Sequence, residues 1–337
     1  MISLLTRQPM PLLVLILLTW PLALPSVYAA QDQDTPVLSG SDPLSLEQAL
    51  SFADQHPRLK NPAASTRFPR RPALFVGCHD LAFAGARAGE ERRNQAWSSP
   101  LLSAEDAQRL EVMQRFFDVL LADLSFAHDN EAMAVAFVQL DRARARAELG
   151  QFSPLQVAKL DADYQAIRRQ RAASESTQRL TRALLAQALG HPQTLPEHLT
   201  PPKPPPADQA IPTLAEVIAA AQQHNPQVRA LSNEPQDAAA TALLAMDLEQ
   251  AALELITRLQ LLGLIAEQVD TEARWRDLKL DESRTLYELE AQADLGFSMS
   301  QQTRARRDQE QVALCQALTR AELAALQGQS LITSTSD

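Results

Sequence analysis

Cysteine, glycine, aromatic residues and positive charge are all in short supply in this chain, and each shortage excludes something. Two cysteines in 337 residues, Cys78 and Cys315, cannot build a disulfide scaffold, and their pairing does not follow from sequence. Nine glycines and 5% aromatics, set against abundant Ala, Leu, Gln, Glu and Arg, leave a composition strongly biased to helix. With 41 acidic against 31 basic residues the formal charge is −10, which makes a nucleic-acid partner a poor fit. There is no long apolar run either. The stretch from Leu12 to Leu24 is broken by Pro21, flanked by Pro9, Pro11 and Pro25, and shorter than the ~20 residues of a spanning helix. Catalytic patterns are missing too: no His-Glu-x-x-His run, no glycine-rich phosphate loop, and six scattered histidines, so no enzyme, metal or cofactor is expected.

The N-terminus has its own pattern. Arg7, the short apolar run and Val27-Tyr28-Ala29 describe a secretory signal peptide, residues 1–29, cut after Ala29. The mature chain is expected to be exported. In an oxidising compartment a disulfide is chemically open. Cys315, beside an apolar helical seam, nevertheless reads as buried and inert, and Cys78 as a local structural cysteine. Cys78-His79-Asp80 has metal-ligand side chains but no further ligands elsewhere to complete a site.

Two distant stretches share a helix-tip-helix pattern. One runs from Glu148-Leu149-Gly150-Gln151-Phe152-Ser153-Pro154-Leu155 to Leu189-Gly190; the other runs from Tyr287-Glu288-Leu289 through Asp294-Leu295-Gly296 to Leu326-Gln327-Gly328. Each is preceded by a short capped helix, Ser45-Leu46-Glu47-Gln48-Ala49-Leu50 before His56-Pro57 and Thr213-Leu214-Ala215-Glu216-Val217-Ile218 before His224-Asn225-Pro226. This is an internal duplication. Gly190 and Gly328 have the placement of C-cap glycines.

The segments follow from the repeat. Residues 30–195 hold the first hairpin, 196–212 a proline-rich linker, 213–329 the second hairpin and 330–337 a disordered tail. Inside the first half, 61–100 is irregular and rich in Pro and Arg, with room for one short helix; its arginines read as a solvated loop balancing an acidic chain. The spacing predicts a helical stripe through Phe117, Leu120, Leu124, Ala127, Ala134 and Val138. In the second half it predicts a near-heptad seam through Leu255, Leu259, Leu262, Ala266, Val269, Ala273 and Leu280 on a continuous helix from about 239 to 286. Phe116, Phe117 and Phe126 are expected in the core. The predicted fold is all-α: two repeated long antiparallel helical hairpins, coiled-coil-like, with no transmembrane β-barrel.

A Ser/Thr-Leu-x-Glu/Gln-Ala-Leu helix, an Asn/His-Pro-x-Leu corner, a Glu-Leu-Gly-x-x-Ser-x-Leu tip and a terminal Leu-Gly, present as a pair, resemble the TolC-type outer-membrane efflux protein family. That resemblance implies an export or efflux component in the periplasm or at the outer membrane, with a periplasmic adaptor (membrane fusion) protein or sister efflux-protein homologues docking at the hairpin tips and a trimer closing a barrel from two strands per half. Here 92 residues separate His56 from Glu148 and 64 separate His224 from Glu288, which leaves no room for those strands. The chain therefore looks like a shortened member without its own barrel. Carried over, the partner-binding residues are Gly150, Gln151, Phe152 and Ser153 in the first tip and Asp294 and Gly296 in the second, where Glu290 stands in place of the tip glycine. A homo-oligomer stays open. The alternative is a periplasmic structural or chaperone-like coiled-coil protein without transport.

Overall fold

Each half starts from a capped short helix that turns a corner into a long one. In the computed structural model the described residues are 43–61, 76–83, 100–190, 195–203, 206, 209–233, 238–289 and 295–331, all within the unit Val37–Asp337. The fold is all-α. In the first half α1 (Leu46–Ser51) leads through a 3-10 turn (Ala53–Gln55) to α2 (Pro57–Lys60), then come α3 (Cys78–Phe83), α4 (Ala104–Glu148) and α5 (Pro154–Ala188). The second half holds α6 (Leu214–His224), α7 (Pro226–Asn233), α8 (Ala238–Glu288) and α9 (Leu295–Leu326). The expected signal peptide at 1–29, Asp294 with Glu290, most of 61–100, part of the linker and residues 332–337 lie outside the described residues.

The repeated corner motif has one physical meaning in both halves. His56 caps α2: its Nδ1 accepts from the Arg58 amide at 3.1 Å, while its Nε2 donates to the Gln187 carbonyl at the end of α5, 3.0 Å away. In the second half the same work falls to Asn225. Its Oδ1 accepts from the amides of Gln227 (2.8 Å) and Val228 (3.1 Å), and its Nδ2 donates to the carbonyls of Leu326 and Leu101, both at 2.9 Å. One side chain thus satisfies orphan amides at a helix start and orphan carbonyls at the end of the return helix. The glycine that ends each return helix sits against this corner. Gly328 has a φ of +72°, and a Cβ there would lie 2.6 Å from the backbone of His224 and Asn225.

The long helices pack as a linear array in the order α5, α4, α9, α8, each antiparallel to its neighbour. Thr181, Leu185 and Ala188 of α5 face α4, and Leu255, Leu259, Leu262, Ala273 and Leu280 of α8 form the expected seam against α9. Two sequence expectations need correction. Ala127, Ala134 and Val138 are exposed, and the buried positions in the upper half of α4 are Ala136, Leu140 and Ala143. A strict 3.5-residue stripe drifts around a straight helix, so its upper members rotate out of the interface. Almost every residue from Ala107 to Ala122 is buried, because that half of α4 is enclosed on several sides; Phe116 and Phe117 are in the core there, and Phe126 is half-buried under the Arg171 guanidinium.

The cysteines also depart from expectation: Cys78 and Cys315 form a disulfide, with Cα atoms 5.2 Å apart. Sequence gave no contact between positions separated by 237 residues, whereas the packing of α3 on α8 and α9 brings them together. Closing so long a loop removes roughly 5 kcal/mol of unfolded-chain entropy in the simplest model. Leu44 and Leu199 form the single isolated parallel bridge among the described residues, which ties the leader to the linker.

The corner makes a direct prediction. Asn225→Asp turns a donor toward two carbonyls into an acceptor at a buried site and is expected to lower stability to urea by about 2–3 kcal/mol. His56→Asn, which copies the second corner into the first, should lose under about 1 kcal/mol.

Candidate functional site

The first hairpin tip is built from two capping motifs back to back. Gly150 takes the left-handed conformation (φ +74°) that ends α4, with its amide bonded to the Ala147 carbonyl and the Gln151 amide to the Arg146 carbonyl, both at 2.9 Å. Ser153 then opens α5 through a capping box with Gln156, followed by Pro154 in the first turn. These bonds consume the backbone groups of the turn and leave side chains facing outward. Gln151 and Ser153 are exposed, Phe152 is half-buried, and Leu149 and Leu155 are 73% and 80% exposed. Nothing lies within 4 Å of where a Gly150 Cβ would sit, so this glycine answers a conformational need and not a spatial one. The tip is braced below by the Phe137 and Tyr164 rings, 6.1 Å apart, and by Arg144 with Asp161 at 3.3 Å.

The second tip differs. Helix α8 ends at Glu288 and α9 begins at Leu295, so Gly296 lies in the first helical turn and not in the connection. It is half-buried, and a Cβ on it would meet Val135 of α4 at 2.8 Å. Gly296 thus allows the two hairpins to approach closely. Val135 precedes Gly150 by 15 residues on α4, so the first tip projects roughly 20 Å beyond the level of Gly296. Below that level the contact between α4 and α9 is largely polar: His128 with the Ser300 carbonyl at 2.9 Å, Thr303 with Glu131 at 2.6 Å and Arg307 with Ser125 at 3.0 Å.

This array has the fold of CusC. The likeness is to the crystal structures of CusC that follow conformational changes in folding and transmembrane channel formation, at 13% identity over 84% of this chain and 96% of that one, with a TM-score of 0.53. Two further solved structures lie lower, a membrane protein from Pseudomonas aeruginosa (12% identity, 91% and 98% covered, TM-score 0.49) and the outer membrane protein VceC from Vibrio cholerae (12%, 85% and 96%, 0.49). No family model matches the sequence, and no curated protein matches it significantly. The likeness to CusC is one of fold.

Two further surfaces were missed in the sequence. On α8, Met246, Leu253, Leu264, Trp275, Leu278 and Leu289 are all exposed. At ~100° per residue they fall within a sector of about 60°, opposite the buried seam. Thr257, Gln260, Gln268 and Thr271 fill the gaps, and Glu282 is the one charge in the stripe. The recurring 11-residue step, Leu253 to Leu264 to Trp275 and Leu278 to Leu289, is the signal that could have found it. On α5 the outer face carries exposed Ala158, Ala162, Ala166, Ala173 and Ala183. Among the described residues no element packs on either face, and no helix is long and apolar enough to cross a membrane.

Cys78-His79-Asp80 joins a different cluster. His79 Nδ1 donates to Glu254 at 3.2 Å, Arg258 bonds Glu254 at 2.7 Å, and Arg258 bonds Glu322 at 2.5 Å. Burial pushes the Glu322 carboxyl up, against the pull of Arg258. Burial also works against the Arg258 charge, but Glu322 and Glu254 outweigh it and leave that group raised. Glu322→Gln should cost about 3 kcal/mol in chemical denaturation, because it strips a partner from a guanidinium only 5% exposed. Breaking the exposed pair with Arg144→Ala should change stability by less than about 1 kcal/mol.

Proposed function

We propose that this chain is a component of an envelope export system: a TolC-like efflux homologue, exported to the periplasm or outer membrane, that lacks a barrel of its own. It acts by lateral assembly of helical arrays and by docking a periplasmic adaptor at the projecting tip. The observation that carries this reading is the array with two uncovered edges. One edge, on α8, presents large neutral side chains over about 65 Å; the other, on α5, presents a row of alanines interspersed with Gln165, Arg169, Ser176 and Leu180. Large residues on one helix seat well against small ones on another. In a ring of like-oriented copies, α8 running toward the tips would meet α5 running away from them, which continues the antiparallel alternation within each copy. Because the two edges differ, the contact is heterologous, and rotation closes it into a ring.

At the end of such a ring the first tips would stand proud, with Leu149, Gln151, Ser153 and Leu155 outermost and Phe152 supporting them. In the second half Gly296 would contribute at a lower level by setting how closely α9 approaches α4, and Asp294 is the other proposed contact residue.

Light scattering on the purified chain is expected to show a closed oligomer, and Leu264→Glu with Trp275→Glu should yield monomers of unchanged helicity. Phe152→Asp should abolish capture of a periplasmic adaptor from a native envelope while leaving circular dichroism unchanged, whereas Gly150→Pro, which can neither adopt φ +74° nor keep the bond to the Ala147 carbonyl, should abolish capture by remodelling the turn. A wild-type monomer that captures no adaptor would favour the alternative, a periplasmic structural or chaperone-like coiled coil.

A further inference from the structure

The segment from Val76 to Phe83 touches three of the four long helices. The Val76 amide donates to Asp118 of α4 at 3.0 Å, Cys78 is bonded to Cys315 of α9, and His79 bonds Glu254 of α8. It therefore spans the junction of the two hairpins. The bonds differ in depth. Cys78 and Cys315 are 5% and 0% exposed, in one core with Leu262, Leu314 and Leu318, whereas the side chains of His79 and Glu254 are 21% and 20% exposed at the rim. Glu254 in turn is held by Arg258, which is held by the buried Glu322.

We infer that residues 76–83 form a two-stage redox clasp on the hairpin junction, in which the His79–Glu254 hydrogen bond guards the buried Cys78–Cys315 disulfide against dithiol reductants. Thiol–disulfide exchange needs an attacking thiolate in contact with a sulfur, and here both sulfurs are covered. Exchange must wait for α3 to lift, and the His79–Glu254 hydrogen bond at the rim opposes lifting together with the packing of Leu81 and Phe83 on the core. Once exposed, the disulfide is attacked by one thiolate of a dithiol donor to give a mixed disulfide. The donor's second thiolate resolves it. Two electrons and two protons pass to Cys78 and Cys315, which become thiols, and the donor leaves as its disulfide. With the clasp open, α3 and α9 lose their covalent link at the end away from the tips, while α4 and α9 keep the polar contacts nearer to them. This inference does not depend on the export reading.

The test uses the purified full chain with dithiothreitol as the donor, at one pH, with maleimide trapping of released thiols. Wild-type protein is expected to be reduced slowly, His79→Ala at least tenfold faster, and Arg144→Ala at the wild-type rate. Equal rates for His79→Ala and wild type, or native protein reduced as fast as denatured protein, would overturn the gate. Hydrogen exchange on the Cys78→Ser, Cys315→Ser double variant covers the case in which His79→Ala misfolds. Faster exchange is expected around Leu262 and Leu314–Leu318 with no change at the Gly150 tip, and an exchange map identical to wild type would refute the clasp.

Discussion

In each half of this protein one side chain at a helix corner bonds in two directions, and the hairpins depend on it. His56 and Asn225 cap a short helix with one end of the side chain and hold the last carbonyls of the return helix with the other. Without that link the start of each half and the end of its hairpin would both carry unsatisfied backbone groups, at a junction that is largely buried. A ring and an amide do the same job because each offers an acceptor and a donor a few ångströms apart. Proline after the corner and glycine at the end of the return helix then follow: the first needs no amide donor, both glycines take a positive φ, and Gly328 also admits the close approach of the His224–Asn225 backbone.

With the base fixed, the rest of the molecule is a matter of helix faces. α4 and α9 are interior members of the array, while α5 and α8 keep an outer face each. The inner contacts grade from an apolar core near the clasp to hydroxyls and charges toward the tips. That gradient concentrates stability at one end and leaves the tip end held by directional, water-competitive bonds. The clasp at Val76–Phe83 and the ion-pair chain through Glu254, Arg258 and Glu322 sit at the stable end, where low exposure strengthens each charge interaction and penalises the loss of any partner.

Much of the fold was legible from spacing alone. The terminal glycines Gly190 and Gly328, the Ser45 and Thr213 caps, the Gly150 tip and the seam from Leu255 to Leu280 are local or periodic signals, and a helix's own geometry turns them into structure. What misled was phase over long distances. Val138 keeps the predicted step from Phe117 but is exposed, since a small angular error per turn accumulates over six turns. The outer stripe of α8 was hidden for the related reason that an 11-residue step does not stand out against a heptad search.

The sequence by itself determined that the chain is helical, where its short helices are capped and where the first tip turns, because capping, glycine conformation and apolar period act over a few residues. The tertiary structure alone decided that Cys78 meets Cys315, that His79 meets Glu254, that Gly296 serves the close approach of two hairpins, and which helices lie at the edges of the array. Those facts join residues more than a hundred positions apart. No local preference encodes such distances; they are set by which faces remain once every long helix has buried its own.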